Sequence, residues 1–459
     1  MISLLFQPEI RELLETRDFA TLRELIVEWA PADIAELIDS LTESEQAVLF
    51  RLMPKELATE TFEHLDIDVQ VSLTHGLGQE EVAAVLNDMS PDDRTDMLEE
   101  LPASVVRRLL SIMSTEERKV AQVLLGYPEN SIGRLMTTDY IAIEEDNTVQ
   151  ETLNYIRENG SDSETLNIIY IVDEKGVLID DLRMRDILLS PLDTKVSDLM
   201  DEQFISLRAE DDQEEALAIF RKYDSFALPV TDNAGQLLGI VTVDDVLDVS
   251  EEEATEDMLK LAGVENIEDS YVDVSLAALV KKRAGWLMIL FLGELLTATA
   301  MGYYEEEFAK AIILVSFVPL IISSGGNTGS QAATLIIRAL SLGELSIRDW
   351  WFVIKREFFA GLILGSILGL LGFSRIAFWE IVGGLYGEYW LYIALTVGTS
   401  LVGVVLWGTI MGSMLPLVLK RLNFDPAVSS APFIATLVDV SGIIIYFSVA
   451  ALLLTGKLL

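Results

Sequence analysis

Five long apolar stretches in the C-terminal part constrain the fold of this chain more than any other feature. They cover residues 284–304, 308–337, 358–379, 391–419 and 428–454. Each is long enough to cross a bilayer as a helix, which takes about 20 residues. The second and fourth are interrupted by glycine, so we expect them to tilt or kink. The sequence therefore predicts a transmembrane domain of five helices over residues 281–459.

The charge of the chain changes at the same point. Residues 1–280 hold 63 acidic and 20 basic residues, whereas residues 281–459 hold 11 and 12. The strongly acidic residues 1–280 would repel a phosphate backbone, which argues against nucleic-acid binding. The chain has no cysteine and two histidines, His64 and His75, which we expect to be core or surface residues. A disulfide framework and a thiolate metal site are therefore excluded, and a multi-histidine centre within one chain is not expected. The N-terminus lacks the pattern of a cleavable signal peptide.

The basic residues of the C-terminal part predict its orientation, since they favour the cytoplasmic side. If there are five spans, nine of these basic residues fall on one side of the membrane and three on the other. The three are Lys310, Arg375 and Lys457, together with the acidic run at residues 305–307. We therefore expect the acidic part to be cytoplasmic and the C-terminus to be outside.

Polar residues inside the apolar stretches are the candidate functional residues, because burying them in hydrocarbon is costly. Asp439 lies in the segment ATLVDVSG, about halfway along the fifth stretch. It indicates an ion pathway; a carboxylate hydrogen-bonded to a neighbouring helix is the alternative. Glu294 fits either a packing hydrogen bond or a role near that pathway. The run SSGGNTGSQ at residues 323–331 fits close helix packing, a backbone open to a pore, or both. One carboxylate with neutral oxygens suits hydrated Mg²⁺, and a two-fold axis would supply a second.

Residues 131–249 contain an internal repeat, with copies at 131–191 and 192–249. Each copy alternates helix and short β-branched strand around a glycine-containing turn, at Gly176 and at Gly235. Helices are predicted at 149–159 and 214–222. Together with the segments FALPV (226–230) and LGIVTVDD (238–245), the repeat resembles a tandem CBS-domain pair.

That resemblance implies a possible adenine-nucleotide site, such as one for ATP, between the copies. Thr242 and Asp245 match the motif that holds the ribose in such pairs. The first copy departs from it, with Arg183 where Thr242 aligns and Asp180 where Gly239 aligns, and an extra carboxylate would repel phosphate. Tyr170 and Phe226 are candidate base-stacking residues or, alternatively, core residues. The full candidate set is Tyr170, Arg185, Asp186, Phe226, Ala227, Leu228, Pro229, Thr242 and Asp245.

Residues 1–130 repeat short amphipathic units that begin at Pro, Ser or Thr with an acidic residue, as helix starts prefer. They predict a helical superhelix with no catalytic constellation. Carboxylates are concentrated again over residues 250–280, where a connecting helix is expected at about 250–267. Two carboxylates about 4 Å apart repel by roughly 4 kcal/mol at an effective dielectric near 20. Bound divalent cations would relieve this repulsion; a solvated acidic face is the alternative.

The whole layout resembles the MgtE-type magnesium channels and transporters. The segments PLIISSGGNTGSQAATLIIRA (319–339) and PFIATLVDVSG (432–442) carry the resemblance, with the order of helical domain, CBS pair, connecting helix and five spans. The fold class is therefore multidomain: an all-α superhelical N-domain, an α/β tandem CBS pair and a five-helix α transmembrane domain. The resemblance implies a homodimer in lipid in the bacterial plasma (inner) membrane, which takes up Mg²⁺ and closes at high cytosolic Mg²⁺.

The resemblance also implies site residues. Asp439 would bind hydrated Mg²⁺, with Asn327, Gly326, Gly329 and Ala435 along the path. The cytosolic ion-sensing residues would be Asp92 or Asp93, with Asp96, Asp244, Asp248, Glu253, Glu256 and Asp257. A secondary transporter coupled to H⁺ or Na⁺ and a sensor without flux remain alternatives. An enzyme is not expected, and no His-Glu-x-x-His motif indicates a protease. Selectivity among Mg²⁺, Mn²⁺, Co²⁺ and Ni²⁺ stays open.

Overall fold

The computed structural model describes residues 2–267, 271, 274–304 and 312–455, with the backbone alone for residues 2–5. The chain forms two compact units, one that ends at Ser250 and one that begins at Glu251. The acidic connecting segment therefore belongs to the same unit as the apolar helices. The acidic turn at 305–307, Lys310 and Lys457, used above to predict orientation, lie outside the described residues.

The first unit begins with short helices, as predicted, and the described residues 2–124 form ten of them. Their starts carry the expected signals: Asp18 caps α2, Thr42 and Glu45 form a capping box, and Pro31 opens α3. Most helices pack against the helix two places further on, and one apolar core runs through all of them, which produces a superhelix. The helices are α1 (Ile2–Thr16), α2 (Phe19–Ile26), α3 (Pro31–Asp39), α4 (Glu43–Leu52), α5 (Lys55–Glu63), α6 (Ile67–Gly76), α7 (Gln79–Asp88), α8 (Pro91–Glu99), α9 (Ala103–Ile112) and α10 (Thr115–Leu124).

The repeat forms two similar three-stranded sheets, β1-β2-β3 and β4-β5-β6. In each, the first pair of strands is parallel and the second is an antiparallel hairpin. Gly176 and Gly235 take the left-handed backbone of the hairpin turns, with φ of +79° and +83°. Each also accepts a hydrogen bond from the opposite copy: Leu178 N donates to Gly235 O and Leu237 N to Gly176 O, both at 3.0 Å. The two turns thus join the copies.

The elements of the repeat match the predicted pattern closely. The helix predicted at 149–159 is α12, and the one predicted at 214–222 is one residue longer at each end. In order they are α11 (Ile132–Leu135), β1 (Ala142–Glu144), α12 (Val149–Asn159), β2 (Ile168–Val172), β3 (Leu178–Arg183), α13 (Met184–Leu189), β4 (Leu207–Arg208), α14 (Gln213–Tyr223), β5 (Ala227–Thr231) and β6 (Leu237–Thr242).

The connecting helix is α15 (Val243–Leu261), which starts and ends earlier than predicted. It begins directly after β6 because the hairpin strand leads into it. It ends at Leu261 because Gly263 takes a left-handed backbone, with φ of +72°, and Val264 N donates to Leu259 O at 2.9 Å. A glycine in this conformation closes the last turn of a helix and prevents its continuation.

The second unit has five helical segments long and apolar enough to cross a membrane, as predicted: Leu276–Tyr303, Ile312–Ser341, Ile347–Gly383, Gly387–Arg421 and Ala431–Leu454. Their helices are α16 (Leu276–Tyr303), α17 (Ile312–Val315), α18 (Val318–Ser341), α19 (Trp350–Gly383), α20 (Trp390–Arg421) and α21 (Ala431–Leu454). Residues 308–311 of the second predicted stretch lie outside the described residues. α16 begins eight residues before the predicted start, so Lys281–Arg283 lie within the helix.

Glycine allows these helices to pack with their backbones in contact. A Cβ atom at Gly365 of α19 would lie 2.9 Å from Val402 Cα of α20, and one at Gly329 of α18 would lie 3.0 Å from Gly408 O. Small residues at helix interfaces permit such approach. α18 is a continuous helix through its glycine run, so its backbone carbonyls stay in the helix rather than opening into a pore.

Candidate functional site

Asp439 lies on α21, the helix of highest apolar content in the second unit. Ser430 caps this helix by accepting a hydrogen bond from Phe433 N, and Pro432 lies in its first turn. Asp439 is one third of the way along the helix, rather than halfway as predicted from the apolar stretch. Its side chain is half-buried in the single chain. A carboxylate at this position needs a polar or charged partner.

Gly326 of α18 lies directly opposite Asp439. A Cβ atom at Gly326 would be 3.7 Å from Asp439 Oδ1 and 3.3 Å from Ala435 Cβ, so the glycine leaves the carboxylate uncovered. The structure thus brings together three of the five residues predicted for the path. Asn327 is exposed beside them, with its Nδ2 3.4 Å from Ser323 Oγ. Gly329 is buried and packs against α20 and Ile434, so its role within the single chain is helix packing.

Exposed polar side chains form a stripe along α18. Ser323, Asn327, Gln331 and Thr334 are all exposed and follow one another at intervals of four, four and three residues. This spacing places them on one face of the helix. The polar run at residues 323–331 is evident in the sequence, but the stripe, which includes Thr334, was not predicted. The helical spacing of the four side chains was the signal that could have found them.

Within the second unit, the end of α15 carries an ion-paired group that was not predicted from the sequence. Lys260 Nζ lies 2.5 Å from Glu256 Oε1 and 2.6 Å from Asp425 Oδ2. Burial opposes the charge of Lys260, but the bonds to these two carboxylates outweigh it and raise its pKa. Asp257 accepts a hydrogen bond from Ser341 Oγ at 3.1 Å, and burial raises the pKa of Asp257.

This contact explains how the acidic face of α15 is arranged. Glu253, Glu256, Asp257 and Lys260 are all partly buried and follow at helical spacing, so they share one face. Lys260 already neutralises part of the charge there. Glu256, predicted as an ion-sensing residue, is therefore paired with a lysine in this structure.

A second group of carboxylates lies in the first unit, and we call it the acidic cluster. Its members come from four elements: the end of α5, the first turn of α8, the loop after α12 and the start of α15. Each member either raises the pKa of another member through its charge or has its own pKa raised in this way. The cluster consists of Glu63, Asp92, Asp93, Glu164, Asp244, Asp245 and Asp248.

Asp92 is the most buried member, 7% exposed, and its Oδ1 has no hydrogen-bond partner among the described residues. Burial, and then the charge of Asp245, raise the pKa of Asp92 well above its usual value. Burial also raises the pKa of Asp245 to about 7, although Asp245 accepts bonds from Thr242 Oγ1 at 2.5 Å and Thr242 N at 3.1 Å. Burial raises the pKa of Glu63 to about 7, against a bond from Ser90 N at 3.0 Å.

The acidic cluster resembles a site for hydrated cations more than a closed metal cage. Among the described residues, no three His, Cys, Asp or Glu side chains are arranged to hold a bare metal ion. Mg²⁺ usually keeps several waters and needs only one or two carboxylates, so this spacing suits it. Asp96 lies one turn beyond Asp92 and Asp93 on α8 and is exposed.

Some of the residues predicted to bind a nucleotide are accessible in the structure, and others are buried. Phe226 is 66% exposed, and its carbonyl accepts a bond from Val243 N at 3.0 Å, next to Thr242 and Asp245. Tyr170 is fully buried, and its hydroxyl has no partner among the described residues. It packs with Ala227 in the core between the two copies, which supports the core alternative for Tyr170.

The remaining members of this set lie in β5 and α13. Ala227, Leu228 and Pro229 are buried in β5. Arg185 and Asp186 lie in the first turn of α13, with Arg185 Nε 3.7 Å from Asp186 Oδ1; Arg185 is exposed and Asp186 is partly exposed. Asp180, expected to repel phosphate, instead has a structural role because its carboxylate is buried and fully bonded. It accepts hydrogen bonds from Asp181 N (2.9 Å) and from the amides of residues 201 (2.8 Å) and 202 (2.9 Å).

Comparison with known proteins decides the family. The divalent cation transporter MgtE matches residues 318–449, the MgtE intracellular N domain matches 29–130, and CBS domains match 132–193 and 196–252. The chain is 39% identical over 449 residues to the magnesium transporter MgtE of Thermus thermophilus, covering 97% of this chain and 98% of that one. It is 32% identical to that of Bacillus subtilis, covering 95% and 93%. The chain belongs to the MgtE family of magnesium transporters.

Two solved structures support the same assignment. The cytosolic domain of the Mg²⁺ channel MgtE in complex with ATP is 36% identical and covers 53% of this chain and 99% of that one, with a TM-score of 0.51. The soluble part of a magnesium transporter is 29% identical and covers 55% and 99%, with a TM-score of 0.52. The resemblance to the MgtE family and the CBS pair are thus confirmed, and Mg²⁺ transport is the function that the family supports.

Proposed function

We propose that the chain forms a Mg²⁺ channel whose conduction site contains Asp439. The observation that carries this proposal is the geometry around that residue. A carboxylate on an apolar helix is left uncovered by Gly326 and lies beside the polar stripe of α18. Ionisable groups at membrane depth generally mark ion pathways. Hydrated Mg²⁺ matches such a site because it keeps most of its waters.

The conducting form is a homodimer with the pore on its two-fold axis. The polar stripe of α18 and the carboxylate of Asp439 would be costly if they faced lipid. A second copy of the chain would turn both surfaces toward a shared water-filled path and would supply a second Asp439. The acidic N-terminal part lies in the cytoplasm and the C-terminus outside, as the distribution of basic residues favours.

Cytosolic Mg²⁺ closes this channel by binding to the acidic cluster and to the acidic face of α15. Without cations the carboxylates of the cluster repel one another, and burial adds to the cost of their charge. A cation that binds the compact arrangement preferentially shifts the population toward it, limited by its difference in affinity for the two states. The direction, with the closed state rich in Mg²⁺, comes from the resemblance to the family.

The CBS pair also binds an adenine nucleotide such as ATP. The related cytosolic domain was solved with ATP, and this chain keeps Thr242 and Asp245 in contact. The carbonyl of Phe226, whose ring is exposed, accepts a bond from the adjacent Val243 N. The Asp180 carboxylate does not oppose phosphate binding, because it already accepts hydrogen bonds from backbone amides. Nucleotide binding at Asp245 would couple the site to the acidic cluster, of which Asp245 is a member.

Mg²⁺ influx into proteoliposomes that enclose a Mg²⁺-sensitive dye tests the conduction proposal. The wild type, Asp439→Asn and the matched control Glu344→Gln, which removes an exposed charge outside the helices, are compared at equal protein content. We expect influx without an imposed H⁺ or Na⁺ gradient, its loss in Asp439→Asn and its retention in Glu344→Gln. Mg²⁺ influx at the wild-type rate in Asp439→Asn would refute the assignment of Asp439 to the conduction site. Influx that requires a gradient would favour a coupled transporter.

A further inference from the structure

α16 approaches α21 closely at one point, and this point carries a second acidic residue. A Cβ atom at Gly293 would lie 2.5 Å from Thr436 Cγ2, so only a glycine allows the contact. Thr436 is one turn before Asp439 on the same face of α21. The residue after Gly293 is Glu294, and its carboxyl group lies within hydrogen-bonding reach of the Asp439 carboxyl.

Two carboxyl groups side by side in a membrane domain repel each other when both are ionised, and a shared proton or a bound cation offsets that repulsion. The described basic residues of the three helices that meet here are distant. Arg283 precedes Glu294 by eleven residues and Arg338 follows Gly326 by twelve, which is about 16 and 18 Å of helix. α21 contains neither lysine nor arginine. Within the described part of these three helices, therefore, no basic side chain supplies the positive charge, and a cation from solution can do so.

A further observation on the same face of α16 points to a polar ligand. Thr297, one turn after Glu294, is 9% exposed, and its hydroxyl has no hydrogen-bond partner among the described residues. Buried hydroxyl groups are normally paired with protein or with ordered water. An unpaired hydroxyl one helical turn from Glu294 is consistent with a hydrated ligand on this face of α16.

We propose that Glu294 is a second cation-binding carboxylate of the ion pathway and sets the affinity of the Asp439 site for Mg²⁺. This inference rests on the proposed function, since it assigns a further residue to the same pathway. Each chain then contributes two carboxylates, and a dimer contributes four. The affinity of oxygen-ligand sites for divalent cations increases with the number of charged ligands. Glu294 thereby concentrates Mg²⁺ at the site, whereas Asp439 remains the residue on which conduction depends.

The test measures Mg²⁺ influx into proteoliposomes over a range of external Mg²⁺ concentrations. For Glu294→Gln we expect the half-saturating concentration to rise about tenfold, with the maximal rate within about twofold of the wild type. Glu294→Asp keeps the charge and should stay close to the wild-type value, as should the control Glu344→Gln. A wild-type half-saturation in Glu294→Gln would overturn the inference, as would equal effects of the Gln and Asp variants, which would indicate packing alone.

The absence of cysteine from the sequence permits a second test if Glu294→Gln fails to fold. Glu294→Cys is modified in the membrane either with a negatively charged sulfonatoethyl methanethiosulfonate or with neutral methyl methanethiosulfonate. The charged reagent should restore the half-saturating concentration toward the wild-type value, and the neutral reagent should not. Equal effects of the two reagents would overturn the inference. Loss of influx in Asp439→Asn with wild-type behaviour in Glu294→Gln would overturn this inference alone and leave the proposed function intact.

Discussion

The acidic cluster predicts that Mg²⁺ binding to the first unit depends steeply on pH near neutrality. Burial raises the pKa of Asp245 and of Glu63 to about 7 each, so both carboxyls are partly protonated at neutral pH. A divalent cation competes with these protons. An ordinary exposed carboxylate would be fully ionised throughout this range and would give no such dependence.

The direction of the effect follows from the raised pKa values. A group whose pKa is higher in the folded than in the unfolded state contributes stability that is present below the unfolded value near 4. That contribution is lost as the pH rises through about 7. Without Mg²⁺ the compact first unit should therefore lose stability between about pH 4 and pH 7. Bound Mg²⁺ should replace the protons above that range.

The magnitude can be worked from the same values. A carboxyl with a pKa of about 7 is about 90% ionised at pH 8 and about 10% at pH 6. If Mg²⁺ requires one ionised carboxyl, its apparent affinity falls about tenfold between these pH values, and if it requires both, about 100-fold.

The assay is the Mg²⁺ concentration that gives half of the maximal rise in melting temperature, measured for the full-length protein in detergent at pH 6, 7 and 8. Asp245→Asn should reduce the pH dependence to that of the remaining carboxyl, about tenfold. Glu158→Gln, which removes an exposed carboxylate outside the cluster, should behave like the wild type. An equal midpoint at pH 6 and pH 8 for the wild type would refute the reasoning, because it would mean that Mg²⁺ displaces no proton from the cluster.

Three further predictions concern the other sites. Lys260→Ala removes a partly buried ion pair with Asp425, which should destabilise the closed state by about 1–2 kcal/mol. Channel closure should then require about 5 to 30 times more cytosolic Mg²⁺. An unchanged closing curve in patch recordings would contradict this prediction. Gly326→Val places a side chain against Asp439 and should reduce Mg²⁺ influx while the dimer stays folded by size-exclusion chromatography. Phe226→Ala should weaken ATP binding, measured by calorimetry, by about 5- to 150-fold, as expected for a lost stacking contact, and should change stability by less than about 0.5 kcal/mol because the ring is exposed.

The sequence predicted the elements of this fold because its patterns are local. Apolar length identified the five spanning helices, and helix-start residues with short periodic units identified the superhelix. The internal repeat and its glycine turns identified the CBS pair. The predicted boundaries were less accurate where a single residue ends an element. Gly263, for example, ends the connecting helix six residues before its predicted end.

The candidate sites were predictable only where one side chain carries its own signal. Asp439 stands out in an apolar helix, but its neighbours Glu294 and Gly326 become partners only through helix packing. The pairing of Lys260 with Asp425 joins residues 165 positions apart in the chain, and no local pattern indicates it. Polar contacts of this kind depend on tertiary structure, which spacing along one helix or strand does not reveal.

The most direct test of the account is a single-channel recording from the purified protein in a planar bilayer, with Mg²⁺ as the permeant cation and the cytosolic face held nearly free of Mg²⁺. The account predicts unitary Mg²⁺ currents that disappear in Asp439→Asn and that close when Mg²⁺ is added to the cytosolic face. Unitary currents of wild-type size in Asp439→Asn would contradict it, because Mg²⁺ would then cross the membrane by a path that does not include this carboxylate.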